Sequence, residues 1–220
     1  MKTFSELQEG VYDPNILKAF FLAGGPGSGK SYVVRRTTGG LGMKIVNSDN
    51  AFEKLLKDAN LSLKMPDEEL EPRTVVRDRA KAITKKQRGN YVEGRLGMII
   101  DGTGKDYDKI ASQATNLKQL GYDVHMIFVN TSLDTALANN QKRDRTVKTS
   151  IATNGWKEVQ SNIGKFSQYF RQNFIVVDNN MAGEDVFAKV YKQIMYLAKY
   201  KVQNPTGKKW IANELAKKRR

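Results

Sequence analysis

Between Lys18 and Ser31 the chain reads KAFFLAGGPGSGKS, an apolar run that breaks into glycines and closes on Lys30-Ser31. Gly24, Gly25, Pro26, Gly27, Ser28, Gly29, Lys30 and Ser31 meet the spacing G-x-x-x-x-G-K-[ST], with a strand expected before them and a helix after. The glycines let the backbone turn tightly and aim successive N–H groups inward, as a polyphosphate requires. The amino end of the following helix adds to that anion site. Lys30 supplies a point charge for the β- and γ-phosphates, and the Ser31 hydroxyl can ligate Mg²⁺. The motif therefore implies a nucleoside triphosphate with Mg²⁺; ATP is expected, although no base-reading motif separates it from GTP.

Further chemistry-bearing residues stand at the carboxyl ends of expected strands, where open α/β sheets bind ligands. Asp101 ends the apolar run Gly97–Ile100 and can complete the Mg²⁺ shell with Ser31, or serve as a turn or cap residue. Asp49 follows a short strand, Met43–Asn47, and can orient an acceptor hydroxyl or take its proton. Ser48 or Asp49 would equally suit the cap of the next helix. Thr103 is placed to touch an acceptor or to make a turn. Lys142, Arg143 and Arg145 precede a run of small residues, Thr146–Gly155, that reads as a flap. Arginines on such a flap can neutralise charge on a transferring phosphoryl group, although they also suit a solvated helix end. Lys30, Asp49, Arg143 and Arg145 are the catalytic candidates. His125, the one histidine, falls inside a strand and reads as a packed, hydrogen-bonded residue without a catalytic part.

The elements that must position these groups alternate. Strands are expected at Lys18–Ala23, Met43–Asn47, Gly97–Asp101, Asp123–Asn130 and Phe174–Val177, with helices between them. Those helices span Gly29 to about Thr38, Ala51–Ala59, Asp106–Leu120, Thr131 to about Arg145, Trp156–Phe170 and Gly183–Tyr200. Trp156, Phe166, Tyr169 and Phe170 fall at core spacing. This is an α/β sandwich of the P-loop NTPase type, with a five-stranded, mainly parallel sheet covered on both faces. An arm (1–17) precedes the P-loop body (18–200), which carries a helical insertion (60–94) and a lid (143–155). A basic tail (201–220) follows.

The 220 residues suffice for one such domain, and zero cysteines exclude disulfide and thiolate chemistry. Neither a membrane-spanning run nor a leader is visible, so a cytoplasmic protein without a membrane partner is expected. The net charge of +14 is concentrated. Residues 73–95 carry eight basic side chains against two acids, and residues 199–220 carry eight against Glu214 alone. Such blocks attract polyanions, nucleic acid first among them, or else form solvated faces. Trp210, beside Lys208 and Lys209, could stack on a base or dock the tail on the body.

GGPGSGKS, VNSDNAF, IIDGTG and KRDR, in that order, resemble the small P-loop kinases of the zeta-toxin and polynucleotide-kinase type, including zeta-like kinases of large bacteriophages. The resemblance implies ATP-dependent transfer to a hydroxyl, with Asp49 as the acceptor-side base, Arg143 and Arg145 as lid arginines, and Asp101 as the strand-three acid. It also implies the cytoplasm of a bacterial host if the gene is a phage's. Polynucleotide kinases carry an arginine three residues after that base, where this chain has Phe52. Asp49-x-x-Phe52 and Asp101-Gly102-Thr103 are closer to the zeta pattern, whose members phosphorylate UDP-N-acetyl sugars. The basic blocks favour a nucleic acid or nucleotide acceptor such as DNA. A nucleotide-sugar kinase and a non-catalytic, ATP-dependent nucleic-acid-binding switch stand as alternatives.

Overall fold

The computed structural model describes residues 10–64, 66–142, 147–180 and 183–218. Its centre is β1 (Lys18–Ala23), buried at every position and hydrogen-bonded on both sides. With β2 (Lys44–Val46), β3 (Met98–Asp101), β4 (Asp123–Asn130) and β5 (Phe174–Asp178) it forms a sheet of order β2-β3-β1-β4-β5. Every pairing is parallel. Continuous apolar runs such as FFLA in β1 and MII in β3 suit this arrangement, because a parallel sheet is covered on both faces.

Side-chain alternation divides the core. Ala19, Phe21 and Ala23 face α4 (Tyr107–Gln119) and α7 (Ile163–Phe170). Phe20 and Leu22 face α1 (Lys30–Thr38) and α8 (Glu184–Lys199). A third, small cluster joins α2 (Ser48–Asp58) to α3 (Leu70–Glu93) through Phe52, Leu56 and Ala80. The helical insertion expected at 60–94 is thus largely one 24-residue helix packed on α2.

Several boundaries differ from the sequence expectation. α2 begins at Ser48 rather than Ala51, and its cap is Asn47, whose Oδ1 accepts the Asp49 N–H at 2.7 Å. After α5 (Leu133–Gln141), the expected flap of small residues is helical from Thr149 onward, as α6 (Thr149–Ser161). Its Thr, Ser, Asn and Gly residues are weak helix formers, but Ala152, Gly155 and Val159 share a buried face that packing stabilises. The single helix expected over Trp156–Phe170 is broken at Asn162. Its side-chain amide donates to Gly104 O (3.1 Å) and Lys105 O (2.7 Å), pinning the loop after β3. Arg143 and Arg145 lie outside the described residues, as do 1–9 of the expected arm and the last two of the tail.

The basic tail docks on the body. α9 (Pro205–Lys218) places Trp210 and Ile211 against the first core cluster, with Arg95 above the indole at 5.9 Å. Gly207 sits against Gly121, where a side chain on either would collide with backbone. Asp123 accepts backbone N–H bonds from Gln203 and Asn204, each at 2.8 Å, and pairs with Lys18 at 2.8 Å. Of the two readings of Trp210, docking is the one observed. Among the described residues, no helix is long and apolar enough to cross a membrane.

Candidate active site

The loop between β1 and α1 is held from outside by its neighbours. Asn139 of α5 donates to Gly27 O (3.0 Å), and Asn179, just past β5, donates to Ser28 O (2.9 Å). These two bonds fix the outer side of the loop, as a backbone cradle for a polyphosphate requires. Gly27 and Gly29 take left-handed φ values of 75° and 81°, and a Cβ on Gly27 would strike the Ala136 carbonyl. Glycine is required there by both conformation and space. Trp156 lies against Gly25 and donates its indole N–H to Thr131 O (2.8 Å), so it supports the loop as well as packing the domain.

Gly24 N donates to Thr103 O and Gly102 N to Leu22 O, both at 3.0 Å, which ties the loop to the end of β3. Lys30 donates to Gly24 O (2.6 Å) and Gly25 O (3.1 Å), folding its ammonium over the loop. A cleft of about 650 Å³ opens above it, lined by Lys30, Ser31, Asp49, Arg77, Asp101 and Thr103 among others. The glycine loop, Asp49, Asp101 and Thr103 are therefore brought together as the sequence suggests.

Asp101 accepts from Asn47 Nδ2 at 2.7 Å. Burial raises its carboxyl above the ordinary range, the charge of Lys30 opposes this, and nearby Asp49 reinforces it. Asp101 thus offers a carboxylate beside Lys30, at the edge of the cleft where a phosphate-bound cation would sit. Among the described residues no group of three acids or histidines could hold a metal by itself. That suits Mg²⁺, which keeps most of its shell in water and phosphate oxygens and needs one or two protein oxygens. Ser31 and Asp101 fit that part.

Asp49 stands in the first turn of α2, and Arg77 reaches it from α3 at 3.4 Å. The same guanidinium lies 3.9 Å from the centre of the Phe52 ring. An arginine thus stands beside Asp49 after all, delivered by α3 and stacked on Phe52, which occupies the arginine position of the polynucleotide-kinase pattern. Sequence reasoning placed Arg77 only within a basic block. Its spacing from Lys81, Lys85 and Arg88 at helical intervals was the available signal. Asn47, Asn139 and Asn179 were also missed; Asn179, just beyond a strand's carboxyl end, is where a polar residue could have been suspected.

Comparison with known proteins places this geometry. A family model described as an AAA domain, AAA_33, matches residues 20–165, well over half of the chain. The chain belongs to this family. Among solved structures, a putative kinase from Chloroflexus aurantiacus j-10-fl is 13% identical, with 80% of this chain and 97% of that one covered at a TM-score of 0.52. A gluconokinase from Sinorhizobium meliloti 1021 is 13% identical, with 84% and 95% covered and a TM-score of 0.50. The AvrRxo1-ORF1:AvrRxo1-ORF2 structure with ATP is 15% identical at a TM-score of 0.57. The match covers 84% of this chain and 65% of that one. At these identities the likeness is one of fold, a five-stranded parallel sheet in the P-loop kinase-like arrangement. No curated protein matches this sequence.

Proposed function

We propose that this AAA_33 member is an ATP-dependent phosphotransferase that moves the γ-phosphoryl group to a hydroxyl. The observation that carries this reading is a junction. A second cavity of about 660 Å³ shares Ser48, Asp101, Gly102 and Thr103 with the cleft above the glycine loop. A donor on the loop and an acceptor in the second cavity would meet at Asp101, as in-line transfer requires.

In this reading Gly24–Ser31 wraps the triphosphate and Lys30 leaves the loop carbonyls for the β- and γ-phosphates. Mg²⁺ held by Ser31 and Asp101 supplies charge neutralisation when bound. Asp49 orients the acceptor hydroxyl and accepts its proton as the new O–P bond forms and the bond to the β-phosphate oxygen breaks, releasing ADP. Thr103 steadies the acceptor, and Arg143 and Arg145 close over the phosphates. The acceptor we favour is a nucleic acid or nucleotide hydroxyl, because α3 brings Lys81, Lys85 and Arg88 of the basic block 73–95 to the second cavity. The zeta-like nucleotide-sugar reading draws on Asp49-x-x-Phe52 and Asp101-Gly102-Thr103. The Asp49–Arg77 ion pair at 3.4 Å favours one rival from another class, since it gives Asp49 a structural part in tying α2 to α3. In that reading the loop is an ATP-dependent switch for nucleic-acid binding.

The test is transfer of label from γ-labelled ATP, with Mg²⁺, to single- and double-stranded DNA, RNA and UDP-N-acetyl sugars. Asp49→Asn is expected to lower the rate by about 10²-fold or more while ATP still binds, and Lys30→Ala to lose both. ATP binding without transfer to any acceptor would leave the switch as the standing reading.

A further inference from the structure

The basic block on α3 does not face solvent along its whole girth. Lys81, Lys85 and Arg88 repeat at near-helical intervals and line the second cavity, while Lys105 and Lys109 line its other wall. Five cations therefore surround a space that holds two carboxylates, Asp101 at the junction and Asp106, the cap of α4. Two of the cations also have exposed partners: Lys81 with Asp78 at 3.0 Å and Lys105 with Glu158 at 3.2 Å. Arg88 differs. It is half-buried, and among the described residues no carboxylate stands within ion-pair reach of it. Burial lowers its affinity for a proton, with the Tyr122 hydroxyl the one opposing influence. A guanidinium partly withdrawn from water without a counter-ion is costly unless an anion joins it.

The floor of the same cavity is apolar, formed by Val46, Ile100 and Ile110. A cationic wall over an apolar floor suits a molecule with phosphate at one place and a ring or sugar face at another. Its position follows from the junction: a phosphate held by Arg88 places the rest of the molecule toward Asp101, Thr103 and Asp49.

We propose that the cavity between α3 and α4 is a phosphate subsite for the acceptor, in which Arg88, Lys85 and Lys109 hold a phosphate that the acceptor already carries beside its hydroxyl. This rests on the phosphotransferase reading for the word acceptor, but the subsite itself is a binding site that can be measured without turnover. The substrate class is a phosphate ester or anhydride of nucleotide size, which a nucleic-acid strand end and a nucleotide sugar both supply. The α9 tail, docked at the amino-terminal end of β4 beside Gly121 and Asp123, takes no part.

The experiment uses the full chain saturated with Mg²⁺ and a non-hydrolysable ATP analogue, so that the glycine loop is filled. Binding is then measured for a short 5′-hydroxyl oligodeoxynucleotide, for UDP-N-acetylglucosamine, and for N-acetylglucosamine and gluconate, which carry no phosphate. One phosphorylated probe is expected to bind at least about tenfold more tightly than either phosphate-free one, and which of the two it is identifies the source. Arg88→Gln is expected to weaken that probe by about tenfold, with affinity for the ATP analogue unchanged. Lys85→Gln/Lys109→Gln, at exposed positions that do not endanger folding, should do the same. Lys208→Gln/Lys209→Gln on α9 should stay within about twofold of the unsubstituted chain.

The proposal is overturned if phosphate-free probes bind as well, if neither phosphorylated probe binds, if the cavity variants bind like the unsubstituted chain, or if the α9 variant loses as much. Failure of the phosphotransferase reading looks different: the phosphorylated probe binds and responds to Arg88→Gln, yet no label reaches it from ATP.

Discussion

Two titratable side chains, one buried and one half-buried, show how individual residues carry stability or activity at its expense. His125 is stacked on Phe20, ring centres 4.8 Å apart, and neither ring nitrogen has a hydrogen-bond partner among the described residues. It is packed as its strand position suggests, but not hydrogen-bonded. Burial, with the neighbouring charge of Lys18, lowers its pKa to about 4, against only a weak opposing pull from Asp123. Between pH 6.5 and 4 the unfolded chain therefore binds a proton that the folded chain refuses, so stability falls as the solution is acidified through that window. The loss approaches about 3 kcal/mol at its lower end. His125→Phe removes the titrating group while keeping the stack, and its urea midpoint should be flatter between pH 6.5 and 4 than that of the unsubstituted chain. Asp101 shows the opposite sign. Its carboxyl is raised, so charging it costs the folded state, and that cost is fully present above the raised value. Asp101→Asn, which can keep the Asn47 bond, should raise the thermal midpoint at neutral pH in the absence of nucleotide while lowering phosphoryl transfer by about 10²-fold. A midpoint that falls would mean that Asp101 is chiefly structural.

The elements differ in how far the sequence exposes them, and the reason is the range of the forces involved. β1, the glycine loop and α1 were legible because apolar run, φ > 0 glycines and helix start are local signals within 21 residues, Lys18 to Thr38. α6 was hidden by weak helix formers whose buried face only tertiary contact rewards. The basic block on α3 was visible as charge, but its destination was not: Arg77 meets Asp49 across 28 positions, and Arg88 meets a cavity, through packing of α3 on α2. Asp49, Asp101 and Thr103 were found because carboxyl ends of strands are the ligand edge of such sheets. α9 illustrates the converse, a charged segment whose role is set by a few anchoring contacts. Asp123 holds its approach through the Gln203 and Asn204 amides, and its other partner is Lys18, only 3% exposed. Asp123→Asn would leave that ammonium buried without a counter-charge, and a loss of about 3 kcal/mol is expected in chemical denaturation. Lys18→Met/Asp123→Asn should recover much of it, since the uncompensated charge is then gone. Equal losses in the single and double variants would show that anchoring of α9, rather than the charge, sets the cost.

At the scale of the whole molecule, the candidate site is built from parts that lie far apart in the chain and on both faces of the sheet. The loop follows β1, Asp101 ends β3, Asn139 belongs to α5, Asn179 follows β5, and Trp156 comes from α6. A triphosphate on the loop would therefore be gripped by backbone that most of the domain holds in place, and that backbone is dispersed when the chain unfolds. Binding confined to the folded state stabilises it by RT ln(1 + [L]/Kd), about 2.7 kcal/mol at a hundredfold excess over Kd. For a domain of this size, that corresponds to a rise in thermal midpoint of roughly 5 to 10 °C. Mg²⁺ with a non-hydrolysable ATP analogue should produce such a shift, and Lys30→Ala should abolish it without lowering the midpoint of the nucleotide-free chain by more than a few degrees. The net charge of +14 complicates a naive version of this measurement, because any polyanion can bind weakly to the basic surface. Inorganic tripolyphosphate at the same concentration and ionic strength separates the two contributions. A shift that tripolyphosphate reproduces fully, and that Lys30→Ala leaves intact, would place binding on the charged surface instead of the loop.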